Sequence, residues 1–197
     1  MARLDHASRE LHATLVVFGA RQSGKSTMLR ALRDRLPSPP NRTDLTAALR
    51  DPLLDWLPLE LGEIGAWRVR LDLYAVSSRA HYAATRRLLL ADADGLFVMV
   101  DSQAARLDDN LAMLRSLREG LEQPGGGVRV VPRVLCYSKQ DLPRELILAP
   151  SALDASVNPD GDAAFGADLL RGRGALDPLH ALVTRVLRQH AAPVGEG

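Results

Sequence analysis

The chain has 197 residues, enough for one domain with a sizeable core, and 46% of them are hydrophobic, as in ordinary globular proteins. Its net charge of +1 gives no electrostatic reason to expect nucleic acid or an anionic membrane as the main partner. No apolar run approaches the roughly 18 residues of a membrane-spanning helix, and residues 1–10 lack the apolar centre of a signal peptide.

Apolar runs and helical repeats alternate along the sequence. Nearly continuous apolar runs predict buried strands at His12–Gly19, Gly95–Asp101 and Val130–Tyr137, and a weaker run predicts one at Ala163–Leu170. Apolar residues spaced three and four apart predict helices at Ser23–Leu36, Tyr82–Leu90, Gln103–Leu121, Ser151–Val157 and Leu176–Gln189. This alternation is typical of a doubly wound α/β domain built on a mostly parallel sheet.

A hairpin interrupts the alternation. Leu59–Ile64 and Trp67–Val76 flank a Gly65-Ala66 turn, and polar and apolar residues alternate along the second arm. The preceding segment, residues 37–57, is rich in proline and has no strong strand character, and residues 123–127 form the clearest loop signal. The hairpin therefore predicts one antiparallel edge strand on the sheet.

The single cysteine, Cys136, lies within an apolar run and is expected to be a buried, unreactive core residue. A lone cysteine allows no disulfide framework, which favours a cytoplasmic location, and no cysteine near either end is available for a direct membrane anchor. The five histidines lack metal-ligand spacing with acidic or thiol partners. We expect one domain over residues 1–191 and a short flexible tail over residues 192–197.

A phosphate-binding loop is predicted between the first strand and the first helix, because residues 19–26 (GARQSGKS) fit the Walker A pattern GxxxxGK[ST]. Glycines let backbone N–H groups face the phosphates, and the helix N-terminus adds about half a positive charge. Lys25 would contact the β and γ phosphates, and Ser26 would bind Mg²⁺. The alternative, a structural glycine turn, is disfavoured by the strand–loop–helix placement. The predicted nucleotide-binding residues here are Gly19, Ala20, Arg21, Gln22, Ser23, Gly24, Lys25, Ser26 and Thr27.

Lysine usage is unusual in this sequence. Of 25 basic residues only Lys25 and Lys139 are lysine, and the rest are arginine. Lysine therefore occurs only where a compact ammonium on a slim stem differs chemically from a planar guanidinium. One of the two lies in the phosphate loop and the other in the tetrapeptide SKQD at residues 138–141, which indicates that both sites bind nucleotide.

That tetrapeptide follows a predicted strand, at the carboxyl end where open α/β sheets bind ligands. It is similar to the [NS]KxD motif of GTPases. The carboxylate of Asp141 can accept hydrogen bonds from guanine N1–H and N2–H₂, which adenine cannot offer, and the stem of Lys139 can lie over the purine. The alternative is a polar turn before Pro143, but the upstream phosphate loop favours guanine binding by Ser138, Lys139 and Asp141.

Taken together, these motifs resemble the MglA-type small GTPases of bacterial gliding motility and cell polarity. The resemblance runs from about Leu4 to Leu187 and is carried by SREL at 8–11, the phosphate loop, LPLELGEI at 57–64, DG at 94–95, VDSQ at 100–103 and SKQDLP at 138–143. LPLELGEI is not a general motif of Ras-like proteins, so it indicates this subfamily. The resemblance implies a Ras-like P-loop domain that binds GTP or GDP with Mg²⁺.

The sequence departs from the family pattern around the γ-phosphate. Arg21 stands where glycine is usual, so its guanidinium would crowd the attacking water or pair with the phosphate. Arg50 aligns with the family's intrinsic arginine finger and would be catalytic. The Mg²⁺-binding threonine beside it has become Asp51, whose carboxylate can bind Mg²⁺ but brings negative charge towards the γ-phosphate.

Further departures follow the second arm of the hairpin. Ala75 replaces a Mg²⁺-linked aspartate of most Ras-like proteins, which is often threonine in this family. Ser78 and Arg79 replace the switch II glycine and glutamine, and arginine cannot orient the attacking water as an amide does. Arg79 could instead stabilise transition-state charge. The fifth GTPase motif is not recognisable near residues 167–170, where Leu169 replaces a small residue.

Three functional readings follow from retained binding residues and altered hydrolytic ones. The first is a guanine-nucleotide switch with slow or lost GTP hydrolysis, the second an active GTPase with rewired residues, and the third a GDP-locked scaffold. The resemblance implies a roadblock-type homodimer, like MglB, or another effector at the switch segments 37–57 and 77–84. It also implies a role in polarity or motility and recruitment to a cell pole.

Overall fold

The computed structural model describes residues 3–5, 7–37, 54–78, 82–122 and 127–190. Within them seven strands form one sheet in the order β3-β4-β2-β5-β6-β7, with β1 paired to β2. The strands are β1 (Arg3–Asp5), β2 (Glu10–Gly19), β3 (Leu54–Ile64), β4 (Trp67–Val76), β5 (Gly95–Asp101), β6 (Arg133–Ser138) and β7 (Ala164–Gly166). The helices are α1 (Lys25–Arg33), α2 (Ala83–Asp92), α3 (Leu107–Gly120), α4 (Pro150–Val157) and α5 (Leu176–His190).

The mostly parallel sheet is confirmed. β2 lies between β4 and β5, and β5, β6 and β7 continue the sheet in parallel. The hairpin is also confirmed, with β3 antiparallel to β4 at the edge. A second antiparallel strand, β1, was not expected. Its three residues, of mixed polarity, pair with Glu10–His12 and carry no apolar pattern that would predict a strand.

Several predicted boundaries are wrong. β3 begins at Leu54, five residues before the predicted start, and β6 begins at Arg133 because Val130 is 86% exposed rather than buried. A 3₁₀ turn, Ala104–Arg106, precedes α3 where one continuous helix was predicted. β7 ends at Gly166 because Asp168 accepts a backbone hydrogen bond from Arg171 and turns the chain. Residues 38–53 and 123–126, and the expected tail, lie outside the described residues.

Two helical layers cover the sheet. Side chains alternate along β2, so that Leu15 and Val17 enter one core and Val16 and Phe18 the other. The first core receives α1 and α5, and the second receives α2, α3 and α4. Each fully buried large aliphatic side chain contributes about 1.5–3 kcal/mol relative to exposure. This packing fixes the strands whose carboxyl ends carry the predicted motifs.

Cys136 is fully buried in the first core, as expected, and burial raises the pKa of its thiol. Its strand, β6, leads directly to residues 138–141, and β2 leads to the phosphate loop. No helix in the described ranges is both long and apolar enough to cross a membrane. The doubly wound architecture therefore brings the two motifs to one edge of the sheet.

Candidate functional site

The phosphate loop connects β2 directly to α1. Gly24 precedes the helix with φ of 95°, a left-handed conformation that glycine adopts without a steric penalty, and Gln22 also has a positive φ of 63°. Gly19 is required for a different reason. A Cβ added there would lie 2.5 Å from Ser23 Oγ and 2.8 Å from the Met99 carbonyl oxygen. These positions let the backbone curl tightly before the helix starts.

Lys25 lies across this loop. Its Nζ donates hydrogen bonds to the carbonyl oxygens of Gly19 at 2.8 Å and Ala20 at 2.7 Å. The pKa of Lys25 is lowered to about 8, mainly by burial and then by the charge of Arg86, while the charge of Asp55 acts in the opposite direction. A phosphate bound beside Nζ would favour the charged form and raise this pKa.

Asp55 is a site residue that the sequence did not reveal. Ser26 Oγ donates a hydrogen bond to Asp55 Oδ2 at 2.5 Å. In the β3–β4 register Asp55 pairs with Ala75, the position where a carboxylate was expected and is missing. The carboxylate therefore reaches the phosphate loop from the neighbouring strand. The sequence carries no local signal for this contact, because an irregularity between Glu60 and Gly62 shifts the register of the hairpin.

The remaining residues of the phosphate loop have the following contacts. Arg21 is exposed, and its carbonyl oxygen accepts a hydrogen bond from Arg106 Nη2 at 2.8 Å. Thr27 Oγ1 is 3.4 Å from Arg30 Nη2. The hydroxyl of Ser23 is fully buried and has no hydrogen-bond partner within the described part of the chain. The predicted loop residues thus surround one concave turn at the N-terminus of α1.

The second motif follows β6. Ser138 is buried and its Oγ donates to the Val100 carbonyl oxygen at 3.1 Å. Lys139 has a positive φ of 64°, and its Nζ contacts Asp101 Oδ2 at 2.5 Å and Gln103 Oε1 at 2.8 Å. The carboxylate of Asp141 is half-buried and accepts no hydrogen bond from the described residues. Asp141 therefore has acceptor capacity available to a ligand.

The two motifs meet at Gly24. A Cβ placed there would lie 3.4 Å from Leu169 Cδ1 and 3.6 Å from Ser138 Cβ. Leu169 is buried in the first core, so this unusual residue closes the gap between the phosphate loop and the base motif. Arg106 provides a second link, because it bonds the Arg21 carbonyl and lies 3.9 Å from the buried Asp101.

Three predicted site residues lie outside the described residues: Arg50, Asp51 and Arg79. Their predicted roles in catalysis and metal binding remain predictions. Ser78 is described and is partly exposed after β4. The structure therefore brings the phosphate loop next to the predicted base motif and adds Asp55 to the site.

The phosphate loop links a strand to a helix beside an SKxD motif, and the doubly wound sheet has an antiparallel edge. This combination defines a Ras-like P-loop domain. The chain is 30% identical, over 197 aligned residues, to the Mutual gliding-motility protein MglA of Myxococcus xanthus (strain DK1622), and the alignment covers 96% of this chain and 97% of that protein. The chain therefore belongs to the MglA family of Ras-like small GTPases. No protein-family model matches it.

The family implies Mg²⁺, and the donors at the loop fit this ion. Ser26 and Asp55 offer the hard oxygen ligands that Mg²⁺ prefers, beside the place where phosphates would lie. The described residues contain no cluster of three acidic, histidine or cysteine side chains that could hold a metal. Mg²⁺ usually binds through one or two protein ligands together with substrate phosphates and water.

Proposed function

We propose that this protein is a guanine-nucleotide-binding switch of the MglA type, with slow or lost GTP hydrolysis. The observation that carries the proposal is the proximity of the phosphate loop to the SKQD motif at Gly24, where an added Cβ would lie 3.6 Å from Ser138 Cβ. A nucleotide bound there would place its phosphates over α1 and its base beside Asp141. Both the phosphates and the base would then contact residues that follow buried strands.

Phosphate binding would use the N-terminus of α1 and Lys25. The backbone N–H groups that begin a helix carry partial positive charge and favour anions. Lys25 already donates to two loop carbonyls, so its ammonium lies over the loop. Mg²⁺ would bind Ser26 and Asp55, neutralise phosphate charge and link β3 to the nucleotide.

Base selection would use Asp141. An ionised carboxylate is only an acceptor, so it pairs with the two donors on the Watson–Crick edge of guanine and leaves adenine unmatched. Lys139 is held by Asp101 and Gln103, which orients its stem next to the base position. Gln140 is fixed through Ser102 at 2.7 Å, so the motif is tied to the end of β5.

Slow hydrolysis is proposed from the residues that would act on the attacking water. Ser78 and Arg79 occupy the switch II glycine and glutamine positions of the family, and Arg21 occupies a usual glycine of the phosphate loop. A water-orienting glutamine and an arginine finger each accelerate GTP hydrolysis strongly, and a finger raises kcat about 10³–10⁵-fold. Arg50 retains the finger position in the sequence, but the residues that would position the water are replaced, so nucleotide binding is expected to be kept while hydrolysis is slow.

One observation favours a second candidate, an active GTPase with rewired residues. Asp55 supplies, from β3, a carboxylate opposite the place where Ala75 lacks one. With Mg²⁺ positioned in this way, Arg50 or Arg79 would stabilise transition-state charge. A roadblock-type homodimer resembling MglB would then position the water and stimulate turnover.

The cellular setting is proposed from the relative, whose name assigns it to gliding motility. We propose a role in bacterial polarity or motility, in the cytoplasm, with recruitment to a cell pole through a partner. The partner would be a roadblock-type homodimer or another effector that binds the switch segments 37–57 and 77–84. The domain would occupy residues 1–191 and the tail residues 192–197.

The nucleotide bound to the purified protein tests the proposal. Mass-resolved analysis of the released ligand, followed by equilibrium binding of GDP, GTP, ADP and ATP with Mg²⁺, is expected to show guanine nucleotide and at least tenfold weaker adenine binding. Retention of intact GTP supports a trapped switch. GDP alone, with no exchange, indicates a scaffold, and equal binding of adenine and guanine nucleotides contradicts the assignment.

A further inference from the structure

Arg106 connects the start of α3 to the phosphate loop. It ends the 3₁₀ turn before α3, and its Nη2 donates a hydrogen bond to the carbonyl oxygen of Arg21 at 2.8 Å. Its Nη1 contacts Asp109 Oδ2 at 2.6 Å, and its Nε lies 3.9 Å from Asp101 Oδ2. All three nitrogens of the guanidinium therefore face an oxygen, two of them on carboxylates and one on the phosphate loop.

Asp101 gives this guanidinium a fixed neighbour. Its side chain is fully buried at the end of β5, and its Oδ2 also contacts Lys139 Nζ at 2.5 Å. Asn110 of α3 accepts a hydrogen bond from the Asp101 N–H at 3.1 Å and donates one to the Asp101 carbonyl at 2.8 Å. A buried and fully paired polar network keeps one arrangement, because any other leaves a charge without a partner. The end of β5 thus determines where Arg106 lies.

The bond to Arg21 also fixes the peptide group that follows. In a planar trans peptide the carbonyl and the next N–H point in opposite directions, so the Gln22 N–H points away from Arg106. Gln22 has a φ of 63°, which is uncommon for a residue other than glycine, asparagine or aspartate. Such a backbone conformation persists only where the surroundings hold it. The hydrogen bond from Arg106 is a contact of this kind.

We propose that Arg106 is a positioning residue that orients the phosphate loop for nucleotide binding. The inference rests on the proposed nucleotide-binding function. By holding the Arg21 carbonyl, Arg106 would direct the Gln22 N–H towards the bound phosphates, where backbone donors stabilise negative charge. Arg106 itself would not contact the nucleotide. Donors that are already oriented need no rearrangement when the ligand binds, and the gain in affinity is expected mainly as slower release.

This role concerns the phosphates and not the base. Lys139 shares Asp101 with Arg106, but it also contacts Gln103 Oε1 at 2.8 Å. Without the Arg106 side chain, the contacts of Lys139 with Asp101 and Gln103 can remain, so the base motif keeps its arrangement. Loss of Arg106 is therefore expected to weaken nucleotide retention while leaving the preference for guanine over adenine.

The test measures how fast fluorescently labelled GDP leaves the full-length protein. Arg106→Ala and Arg106→Lys are compared with the wild type and with Arg115→Ala, a matched control because Arg115 is an exposed arginine on α3. Stopped-flow fluorescence with Mg²⁺ gives the association and release rates, and competition gives the preference for GDP over ADP. Phosphorus NMR of bound GDP reports the surroundings of its phosphates, which a general loss of stability does not change.

Arg106→Ala is expected to release GDP about tenfold faster, because the loop loses a hydrogen bond from a charged donor, while the association rate and the preference for GDP over ADP change little. The β-phosphate resonance of bound GDP should shift. Arg106→Lys should recover part of the slow release, and Arg115→Ala should match the wild type. Unchanged release by Arg106→Ala would overturn the inference. A lost preference for guanine would also overturn it, since the effect would then lie at the base motif.

Arg106→Lys keeps the test decisive if the alanine variant does not fold. A lysine ammonium cannot contact the Arg21 carbonyl and both carboxylates with the geometry of a planar guanidinium, so its release rate should exceed that of the wild type. Release at the wild-type rate would contradict the inference. Failure of the wild type to bind guanine nucleotides would instead overturn the proposed function.

Discussion

The binding half and the hydrolytic half of this site are built differently. The phosphate loop and the SKQD motif follow β2 and β6, which are central strands buried on both faces, and they contact each other at Gly24. The residues proposed to act in hydrolysis follow the β3–β4 hairpin at the edge of the sheet, where the sequence has Ala75, Ser78 and Arg79. The residues proposed for binding are thus positioned by the core, whereas the edge contributes Asp55, which accepts a hydrogen bond from Ser26.

This difference has an energetic basis. A change in a buried central strand disturbs both cores, and large-to-small changes there cost about 2–5 kcal/mol. Exposed residues of an edge strand, such as Asp55, contact fewer neighbours and can change at a smaller cost in stability, whereas Ala75 is buried in the first core. The predictions below test whether binding depends on the central strands and whether metal use depends on the edge.

The largest effect is expected at Lys25. Lys25→Ala should weaken both GDP and GTP by about a hundredfold, because two phosphates lose a charge-assisted bond. Lys25→Arg should fail similarly, since a planar guanidinium does not match the position where Nζ contacts Gly19 and Ala20 at 2.8 and 2.7 Å. Isothermal titration would measure both variants, with Arg33→Ala as control, because Arg33 is exposed on the same helix and pairs with Asp34. Near-normal binding by Lys25→Ala would break the assignment of the loop.

A somewhat smaller effect is expected at Asp141. Asp141→Ala should reduce the preference for GDP over ADP by about tenfold or more, because guanine then has two unpaired donors. Competition binding with both nucleotides measures the ratio, and Asp108→Ala on the surface of α3 is the control. A ratio that does not change would mean that the SKQD motif is only a polar turn.

The role of the sheet edge is tested at Asp55, the β3 carboxylate that lies opposite Ala75 on β4. Asp55→Ala should raise the Mg²⁺ concentration needed for half-maximal GTP binding by several-fold, because Ser26 loses its acidic neighbour. Since Asp55 and Ala75 are paired across β3 and β4, Asp55→Ala combined with Ala75→Asp should restore part of that dependence. Magnesium titrations at fixed nucleotide would measure it. If the wild type, Asp55→Ala and the double variant need the same Mg²⁺ concentration, Asp55 is not a metal ligand.

The smallest effect concerns the strand that leads to the base motif. Cys136 is fully buried and the pKa of its thiol is raised, so at pH 8 it is neutral and inaccessible. A thiol reagent should therefore not modify the native protein at pH 8 but should modify it once after unfolding in guanidinium. Rapid modification of native protein would show that β6 opens readily and does not anchor residues 138–141 rigidly.

Most of the central strands were predictable because burial on both faces leaves an unbroken apolar run in the sequence. The hairpin was predictable from its turn, but its register was not. Counting back from Gly65-Ala66 without irregularity pairs Trp56 with Ala75, and the bulge between Glu60 and Gly62 shifts the pairing to Asp55. One extra residue reverses which side chains share a face, so a local pattern could not find the carboxylate.

Other features that the sequence did not predict also have local causes. β1 is too short to show a period, and β7 is cut off by the turn that Asp168 forms with Arg171. The hydrogen bond that Arg86 Nη1 donates to the Ser77 carbonyl oxygen joins α2 to the end of β4, and no local sequence pattern predicts it. Motifs at the ends of strands are therefore visible in the sequence, whereas contacts between neighbouring elements need the structure.

Single-turnover GTP hydrolysis with Mg²⁺ tests the central claim most directly. Protein loaded with GTP is followed by chromatography of the bound nucleotide, with and without added metal. The account predicts stable GTP binding and turnover well below that of ordinary Ras-like proteins, because the residues that position water are replaced. Turnover at or above their intrinsic rate would contradict it and would show that the altered edge forms a working catalytic site.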